Sequence, residues 1–270
     1  VGAVPVPVPL REERGFRMDP EDVARRLSPR TRMIILNSPH NPTGSVLGRE
    51  ELQALAELAR QRNLLVLSDE IYSRLVYEGE FASIASWPQM KERTVILDGF
   101  SKTYAMTGWR LGYGVMPAHL AEAVTRLIIN NESCTATFVQ HAGVAALEGS
   151  QEPVEAMRRE LRRRRDLVVD GLNRLPGVRC QRPRGAFYAF PNVTDWCRRL
   201  GLPDARALQD LLLREAGVAV LSREAFGPPE PGEGAFLRIS YAAPTERLKE
   251  ALRRLEGFLE RRGVGRGGFC

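Results

Sequence analysis

Lysine, histidine and cysteine are all scarce in this chain of 270 residues. Only three of its 39 basic residues are lysines (Lys91, Lys102 and Lys249), and the other 36 are arginines. The three histidines and four cysteines show no C-x-x-C or other metal-ligand spacing, so the sequence predicts no metal site. With so few cysteines and no disulfide framework, we expect a reducing, cytoplasmic setting.

Long apolar runs are also absent. No window reaches the roughly 18 apolar residues that a membrane-spanning helix needs. The start, VGAVPVPVPLREERG, is too short and too rich in proline for a signal peptide. The hydrophobic fraction of 43% and the charged fraction of 27% are those of an average globular protein. The sequence therefore predicts a substantial core and no membrane partner.

The chain is basic, with a net charge of +6, which raises the question of nucleic acid. The densest basic run is MRRELRRRRDL, residues 157–167, and a charge run on a helix is usually a solvated face. No aromatic residue interleaves with these arginines, so bases would have nothing to stack on. The sequence predicts no nucleic-acid partner, although the charge is compatible with anionic ligands such as phosphate esters.

Short apolar runs alternate with helical segments as far as about residue 116. The run RMIIL (32–36) is typical of a buried strand, and the short apolar runs LLVLSDE (64–70), TVILDGF (94–100) and RLGYGVM (110–116) also indicate strands. Helices are predicted for DPEDVARRL, with Asp19 as cap and Pro20 at the first helical position, and for residues 49–62. This order predicts an α/β fold with a mostly parallel sheet, in which ligands bind beyond the carboxyl ends of the strands.

The pattern changes near residue 150. A helical stretch over 117–148 is followed by Gly149, Ser150 and Pro153, which mark a break. Beyond the break, an arginine-rich helix, the short strands FYAF, GVAVL and AFLRISYA, and two further helical segments indicate a smaller α+β unit. We therefore predict a large domain over residues 1–150 and a small C-terminal domain over 151–270.

The candidate functional residues lie in four polar loops: NSPHNPTG, SDEIY, SKTYAMTGWR and LRISY. Lys102 is a candidate nucleophile, because a lysine amine can lose its proton and form a Schiff base with a carbonyl, whereas arginine stays charged. Arg110 and the hydroxyl of Ser101 are candidate ligands for a phosphate dianion. The third loop therefore suits a carbonyl cofactor that carries a phosphate.

The remaining loops supply groups for the rest of such a cofactor and for its substrate. Asp69 is suited to a protonated ring nitrogen, and Asn41 and Tyr72 to a ring hydroxyl. Arg238 offers the planar fork that binds a carboxylate through two hydrogen bonds. Each residue alone has an ordinary structural interpretation as a turn, a cap or a surface charge. Their conjunction, each after a short apolar run and in the order such a site needs, favours the functional interpretation.

In this order, the motifs NSPHNPTG, SDEIY, DGFSKTYAMTGWRLGY, GAFYAF and FLRISYA resemble those of the class I/II aminotransferases of fold type I. These are aspartate aminotransferase-like enzymes that use pyridoxal 5′-phosphate (PLP), and the resemblance covers residue 1 to about 260. It implies that Lys102 forms the Schiff base and moves the substrate proton, and that Asn41–Pro42 is a cis peptide. The implied cofactor ligands are Asn41, Asp69, Tyr72, Ser101, Lys102 and Arg110, and the implied substrate ligands are Arg238 and Asn41.

The resemblance implies an enzyme that moves an amino group between an L-amino acid and a 2-oxo acid, working as a homodimer. A PLP-dependent C–S or β-lyase would use the same lysine, and a non-catalytic ligand-sensing module of a transcription regulator would keep the same fold. The match begins partway into the family pattern. We therefore interpret the chain as lacking an N-terminal region, and expect an unpaired sheet edge and no assignable donor specificity.

Overall fold

The computed structural model describes residues 2–264 of the chain. The chain forms two compact units, the first comprising Val1–His40 and Ser45–Arg158 and the second Asn41–Gly44 and Arg159–Cys270. The main division therefore comes a few residues after the domain boundary that we predicted at 150. Residues 265–270, at the end of the predicted small domain, lie outside the described residues.

The first unit contains five complete α-helices and four strands among its described residues. The helices are α1 (Pro20–Arg26), α2 (Arg49–Gln61), α3 (Phe100–Thr103), α4 (Ala118–Asn131) and α5 (Thr137–Glu148). The strands are β1 (Met33–Asn37), β2 (Leu65–Asp69), β3 (Thr94–Gly99) and β4 (Gly112–Val115). The four predicted strands are thus all present. The stretch predicted as helical over 117–148 is two helices, because residues 132–136 interrupt it.

The four strands form one sheet in the order β1–β2–β3–β4. The first three are parallel, with Asn37 level with Asp69 and Asp69 level with Leu97. β4 runs antiparallel to β3. A parallel return needs a long crossover, usually a helix that spans the sheet, whereas residues 100–111 fold back on themselves, and the N–H of Phe100 bonds to the carbonyl of Leu111 at 3.2 Å. The sheet is therefore mostly parallel, as predicted, with one antiparallel edge strand.

One face of this sheet is covered by α2. The helix buries Leu52, Leu55, Ala56 and Ala59, whose spacing of three and four residues places them on one side of the helix. They pack in a core with the β1 and β2 residues that face them, Ile34, Leu36 and Val66. α1 begins as predicted, with the Asp19 carboxylate accepting a hydrogen bond from the N–H of Glu21 at 2.9 Å.

The second unit is built from α6 (Glu152–Arg174), which begins in the first unit, and from α7 (Thr194–Arg199), α8 (Ala205–Leu211) and α9 (Thr245–Arg261). Its strands β5 (Tyr188–Ala189), β6 (Leu221–Ser222) and β7 (Leu237–Ser240) form an antiparallel sheet with β7 in the centre. The run GVAVL contributes only its last residue to β6, because Gly217 ends the preceding helical turn in a left-handed conformation.

Helices α6 and α9 approach closely at Gly171. A Cβ atom placed on this glycine would overlap the side chain of Leu252, so a larger residue would separate the two helices. The core of the unit is aromatic and aliphatic, with Trp196, Tyr241 and Phe258 among its fully buried side chains. In residues 2–264, none of the helices has the length and apolar character to cross a bilayer.

Candidate active site

The carboxyl ends of β1, β2 and β3 meet at one edge of the first unit's sheet. The side-chain amide of Asn37 donates to the carbonyl oxygen of Asp69 at 3.3 Å, and the N–H of Ser38 donates to the same oxygen at 3.2 Å. β3 ends at Gly99, which is two residues beyond Leu97, the residue level with Asp69. The parallel register therefore brings the loops after the three strands to the same edge.

Asp69 is the last residue of β2 and its carboxylate is half-buried. Burial raises the pKa of this carboxyl group, and a hydrogen bond from the N–H of Ile71 to Oδ1 at 3.2 Å lowers the pKa in part. Within residues 2–264, no cationic side chain forms an ion pair with Asp69. A cation bound opposite this carboxylate would restore its charged form.

Two further carboxyl groups lie beside Asp69, and our sequence reasoning missed both. Glu70 is buried, and its Oε1 accepts hydrogen bonds from Ser68 at 2.9 Å and from Ser83 at 2.6 Å. Asp98, near the end of β3, is half-buried. Burial raises the pKa values of both carboxyl groups, and the charge of Asp69 raises them further. Both could have been found from the sequence, because Glu70 in SDE and Asp98 in LDGF are acidic residues near the ends of predicted strands.

Lys102 and Ser101 lie on α3, which starts directly after β3. Both side chains are half-buried. The N–H of Tyr104 closes the helix by bonding to the carbonyl of Phe100 at 3.1 Å, and the two rings stack with centroids 5.5 Å apart. This short, packed helix fixes the backbone from which the candidate nucleophile projects.

Arg110 and Tyr72 occupy two other loops of the first unit. Arg110 is exposed, has a left-handed backbone conformation (φ 56°), and donates to the carbonyl of Thr107 at 3.0 Å. Tyr72 is buried in the turn after β2, where its carbonyl accepts from the N–H of Leu75 at 2.8 Å. The structure therefore places both on loops that begin or end at sheet strands.

Asn41 and Arg238 belong to the second unit, and the structure brings them into contact. Arg238 Nη1 donates to Asn41 Oδ1 at 2.9 Å, although the residues are 197 positions apart. The guanidinium also lies over the ring of Tyr188, 4.6 Å from its centroid, and over the ring of Phe226 at 5.3 Å. Sequence reasoning missed the two rings, because no spacing rule links them to Arg238.

The segment that carries Asn41 is held by backbone contacts. Asn41–Pro42 is cis, as the resemblance implied, and Ser38–Pro39 is cis as well. The carbonyl of Gly44 accepts hydrogen bonds from the N–H groups of Arg184 at 3.0 Å and Gly185 at 2.9 Å. Gly44 has a positive φ of 68°, and a Cβ there would lie 2.9 Å from the Gly185 carbonyl oxygen. Only glycine fits this position without strain.

The predicted site residues of the first unit are of the chemical types that PLP needs. They offer an amine for the carbonyl group, a carboxylate for the ring nitrogen, a phenol for the ring hydroxyl, and a hydroxyl and a guanidinium for the phosphate. These residues are Lys102, Asp69, Tyr72, Ser101 and Arg110, whereas Asn41, predicted as a second ligand of the ring hydroxyl, belongs to the second unit. The raised pKa of the Asp69 carboxyl group and its lack of a cationic partner in the described chain agree with this fit.

Several known proteins are similar to this chain in sequence and in fold. The family model for class I and II aminotransferases matches residues 1–255. Aromatic-amino-acid aminotransferase 2 of Thermococcus litoralis is 44% identical over 96% of the chain and 65% of its own length. Aspartate aminotransferase of Geobacillus stearothermophilus is 40% identical over 97% of the chain and 66% of its own length.

Solved structures agree with the sequence relatives. The aromatic aminotransferase of Pyrococcus horikoshii superposes with a TM-score of 0.90 at 40% identity, covering 97% of this chain and 68% of that one. A double mutant of Thermus thermophilus aspartate aminotransferase superposes with a TM-score of 0.86 at 38% identity. This match covers 95% of this chain and 64% of the mutant's chain. The chain spans about 65% of the length of curated relatives that it matches. With a family model matched along most of its length and relatives above 40% identity, the chain belongs to the class I and II aminotransferases.

Proposed function

We propose that the protein is a PLP-dependent aminotransferase that moves an amino group between an L-amino acid and a 2-oxo acid. The observation that carries the proposal is the half-buried Asp69 carboxylate at the end of β2, which has a raised pKa and no cationic partner among residues 2–264. The protonated ring nitrogen of PLP is the cation that such a carboxylate suits. Lys102 follows the neighbouring strand, on α3.

When bound, PLP supplies a carbonyl carbon and an electron-withdrawing ring. In its neutral form the Nζ of Lys102 would serve as nucleophile towards that carbonyl carbon. Once the substrate amine has displaced it, the same Nζ would accept the proton of the substrate α-carbon and deliver it to the former carbonyl carbon. Asp69 keeps the ring nitrogen protonated by placing a negative charge opposite it. Ser101 and Arg110 bind the phosphate and fix the cofactor in place.

Arg238 binds the α-carboxylate of the substrate in this proposal. Asn41 accepts one of the guanidinium N–H groups at 2.9 Å, which orients the planar fork for a two-point contact with a carboxylate. A carboxylate contact is common to every amino acid, so it does not select the donor. The relatives are named for aspartate, aromatic amino acids and arginine with pyruvate, so these donors should be screened first.

The direct test is to add PLP to the purified chain, reduce with borohydride and map the labelled lysine by mass spectrometry. We expect the label on Lys102, lost in Lys102→Ala and retained in Lys249→Ala, a matched change at a surface lysine paired with Glu246. Transamination by Lys102→Ala should fall by about 10²-fold or more. Equal labelling of all three lysines, or a Lys102→Ala protein with the wild-type rate, would refute the proposal.

Product analysis tests the reaction type. An aminotransferase converts its donor to the matching 2-oxo acid only when an acceptor oxo acid is present. Release of pyruvate and ammonia without an acceptor would indicate a β-lyase instead.

We also propose a homodimer that works in the cytoplasm. The family resemblance supports the dimer. Among residues 2–264, Cys134, Cys180 and Cys197 form no disulfide, which is compatible with a reducing compartment. Light scattering over a range of concentrations measures the oligomeric state, and a monomer at every concentration would contradict the proposed homodimer.

A further inference from the structure

Arg238 is held by more than its hydrogen bond to Asn41. It lies on β7, the central strand of the second unit's sheet, level with Leu221 of β6. Its guanidinium carbon is 4.6 Å from the ring centroid of Tyr188 on β5 and 5.3 Å from that of Phe226. Both distances lie within the roughly 6 Å range in which a cation is attracted to an aromatic face. Tyr188 belongs to the sheet itself, but Phe226 does not.

Phe226 is anchored by other aromatic rings. Its ring meets that of Phe190 edge to face, with centroids 6.5 Å apart and planes at 85°. Phe190 in turn stacks on Phe236, with centroids 5.1 Å apart and planes at 3°. Because both of these rings are buried, Phe226 is supported from the core of the unit while it faces the guanidinium.

An ion pair closes the loop that carries Phe226, which we call the 223–233 loop. Arg223 Nε and Nη2 bond to the two carboxylate oxygens of Glu233 at 2.6 and 2.9 Å. The exposed fractions of these side chains are only 16% and 21%, so water screens the pair weakly. Arg223 Nη1 also bonds to the carbonyl of Gly227 at 3.0 Å, directly after Phe226. The ion pair therefore joins the two ends of the loop, and the hydrogen bond to Gly227 holds the backbone directly after Phe226.

We propose that Phe226 and the Arg223–Glu233 pair form a positioning device that fixes the plane of the Arg238 guanidinium for carboxylate binding. An aromatic face attracts the cation without using its N–H groups, so the edge that a planar carboxylate needs stays available. Fixing the plane before binding reduces the rotamer freedom that the ligand would otherwise have to remove. This inference rests on the proposed role of Arg238 as the substrate carboxylate ligand.

The test compares variants that keep volume with variants that keep the aromatic face. Phe226→Leu removes the face, Phe226→Tyr retains it, and Glu233→Gln breaks the ion pair. Binding of pyruvate to the full chain is followed by NMR titration, with Arg238→Met as the reference for loss of the carboxylate ligand. We expect Phe226→Leu and Glu233→Gln to weaken pyruvate binding about fivefold and Phe226→Tyr to stay within about twofold of wild type.

A second readout needs no ligand. Exchange of the Arg238 Nε proton with water should accelerate about threefold or more in Phe226→Leu and Glu233→Gln, and stay near the wild-type rate in Phe226→Tyr. Unchanged binding and exchange in Phe226→Leu, alongside lost binding in Arg238→Met, would overturn the positioning device and leave the role of Arg238 standing. Wild-type binding by Arg238→Met would overturn the role of Arg238 and this inference with it.

Discussion

Helices α2 and α4 belong to the same unit and are almost equally long, with 13 and 14 residues, yet they are embedded very differently. α2 buries four residues against the sheet. α4, whose residues all lie in the described part of the chain, buries none, and Leu127 on it is 70% exposed. Both sequences are amphipathic, so the difference comes from what covers each helix. Amphipathic spacing specifies a face, but it does not supply the partner for that face.

Strand β1 repeats the contrast within five residues. Ile34 and Leu36 are buried beneath α2, while Ile35 between them points to the other face and is 64% exposed. Hydrophobic stabilisation follows the apolar area removed from water, so it is concentrated on the α2 side of the sheet. The predictions below test whether measured stability follows this division.

The largest effect is expected from Leu55→Ala, on the covered side. Leu55 is fully buried between α2 and the sheet, and removing its side chain leaves a cavity in a packed core. We expect a loss of about 2–5 kcal/mol of unfolding free energy in urea. The same substitution on α4, Leu127→Ala, is the matched control and should change stability by less than about 0.5 kcal/mol. Equal losses in the two variants would remove the contrast.

The residues that the first unit buries on α2 could be predicted from the sequence, because its apolar residues recur at helical spacing. The buried face of α2 follows directly from the positions of its leucines and alanines. Residues 33–36 of β1 are all apolar, so nothing in the sequence indicated that Ile35 is exposed between the buried Ile34 and Leu36. The direction of β4 could not be predicted, because a short apolar run looks the same in either orientation. The fold-back of residues 100–111, including the bond from Phe100 to Leu111, decides that direction.

The next effect is expected from Asp22→Asn, where α1 meets the start of the chain. The buried carboxylate of Asp22 pairs with Arg11 and with Arg25, and these hydrogen bonds lower its pKa to about 2. Arg25 is exposed and Arg11 is partly exposed, so solvent screens both arginines, and we expect a loss of about 1–2 kcal/mol of unfolding free energy at pH 7. Glu21→Gln, which alters an exposed pair with Arg25, should have no measurable effect.

The pH dependence of that loss has a definite sign. A carboxyl group with a lowered folded pKa contributes stability above its unfolded pKa, and this contribution disappears as the pH falls through the folded value. The difference in unfolding free energy between wild type and Asp22→Asn should therefore be fully present above pH 3.8 and should decrease as the pH falls towards 2. A gap that widens as the pH falls would contradict the assignment to this ion pair.

A smaller effect is expected from Ser83→Ala, beside the candidate site. The Ser83 hydroxyl donates to Glu70 Oε1 at 2.6 Å and stabilises the ionised form of a buried carboxyl group. We expect a loss of about 1 kcal/mol at pH 8 in chemical unfolding. Because burial raises the pKa of Glu70, the loss should diminish as the pH falls through that raised value. Ser86→Ala, at an exposed position three residues on, is the control.

The candidate site was predictable only in part, for a related reason. Lys102 and Asp69 stand out because Asp69 ends β2 and Lys102 comes soon after β3, and the apolar runs of both strands are easy to recognise. The contact between Asn41 and Arg238 joins residues 197 positions apart and was not predicted; the resemblance implied only that both residues bind the substrate. The contact between the Phe226 ring and Arg238 could not be predicted from sequence spacing, because it depends on how the 223–233 loop folds against strand β7.

The smallest stability effect is expected on the exposed side, from Phe138→Ser on α5. This ring is 74% exposed, so replacing it removes little buried area and should shift the unfolding free energy by less than about 0.5 kcal/mol. Its effect should appear instead in what the surface binds, because exposed apolar side chains attract other apolar groups. Fluorescence of a hydrophobic dye should fall in Phe138→Ser while the urea midpoint is unchanged. A large loss of stability would show that the ring is covered in solution, and α5 would then belong with α2 rather than with α4.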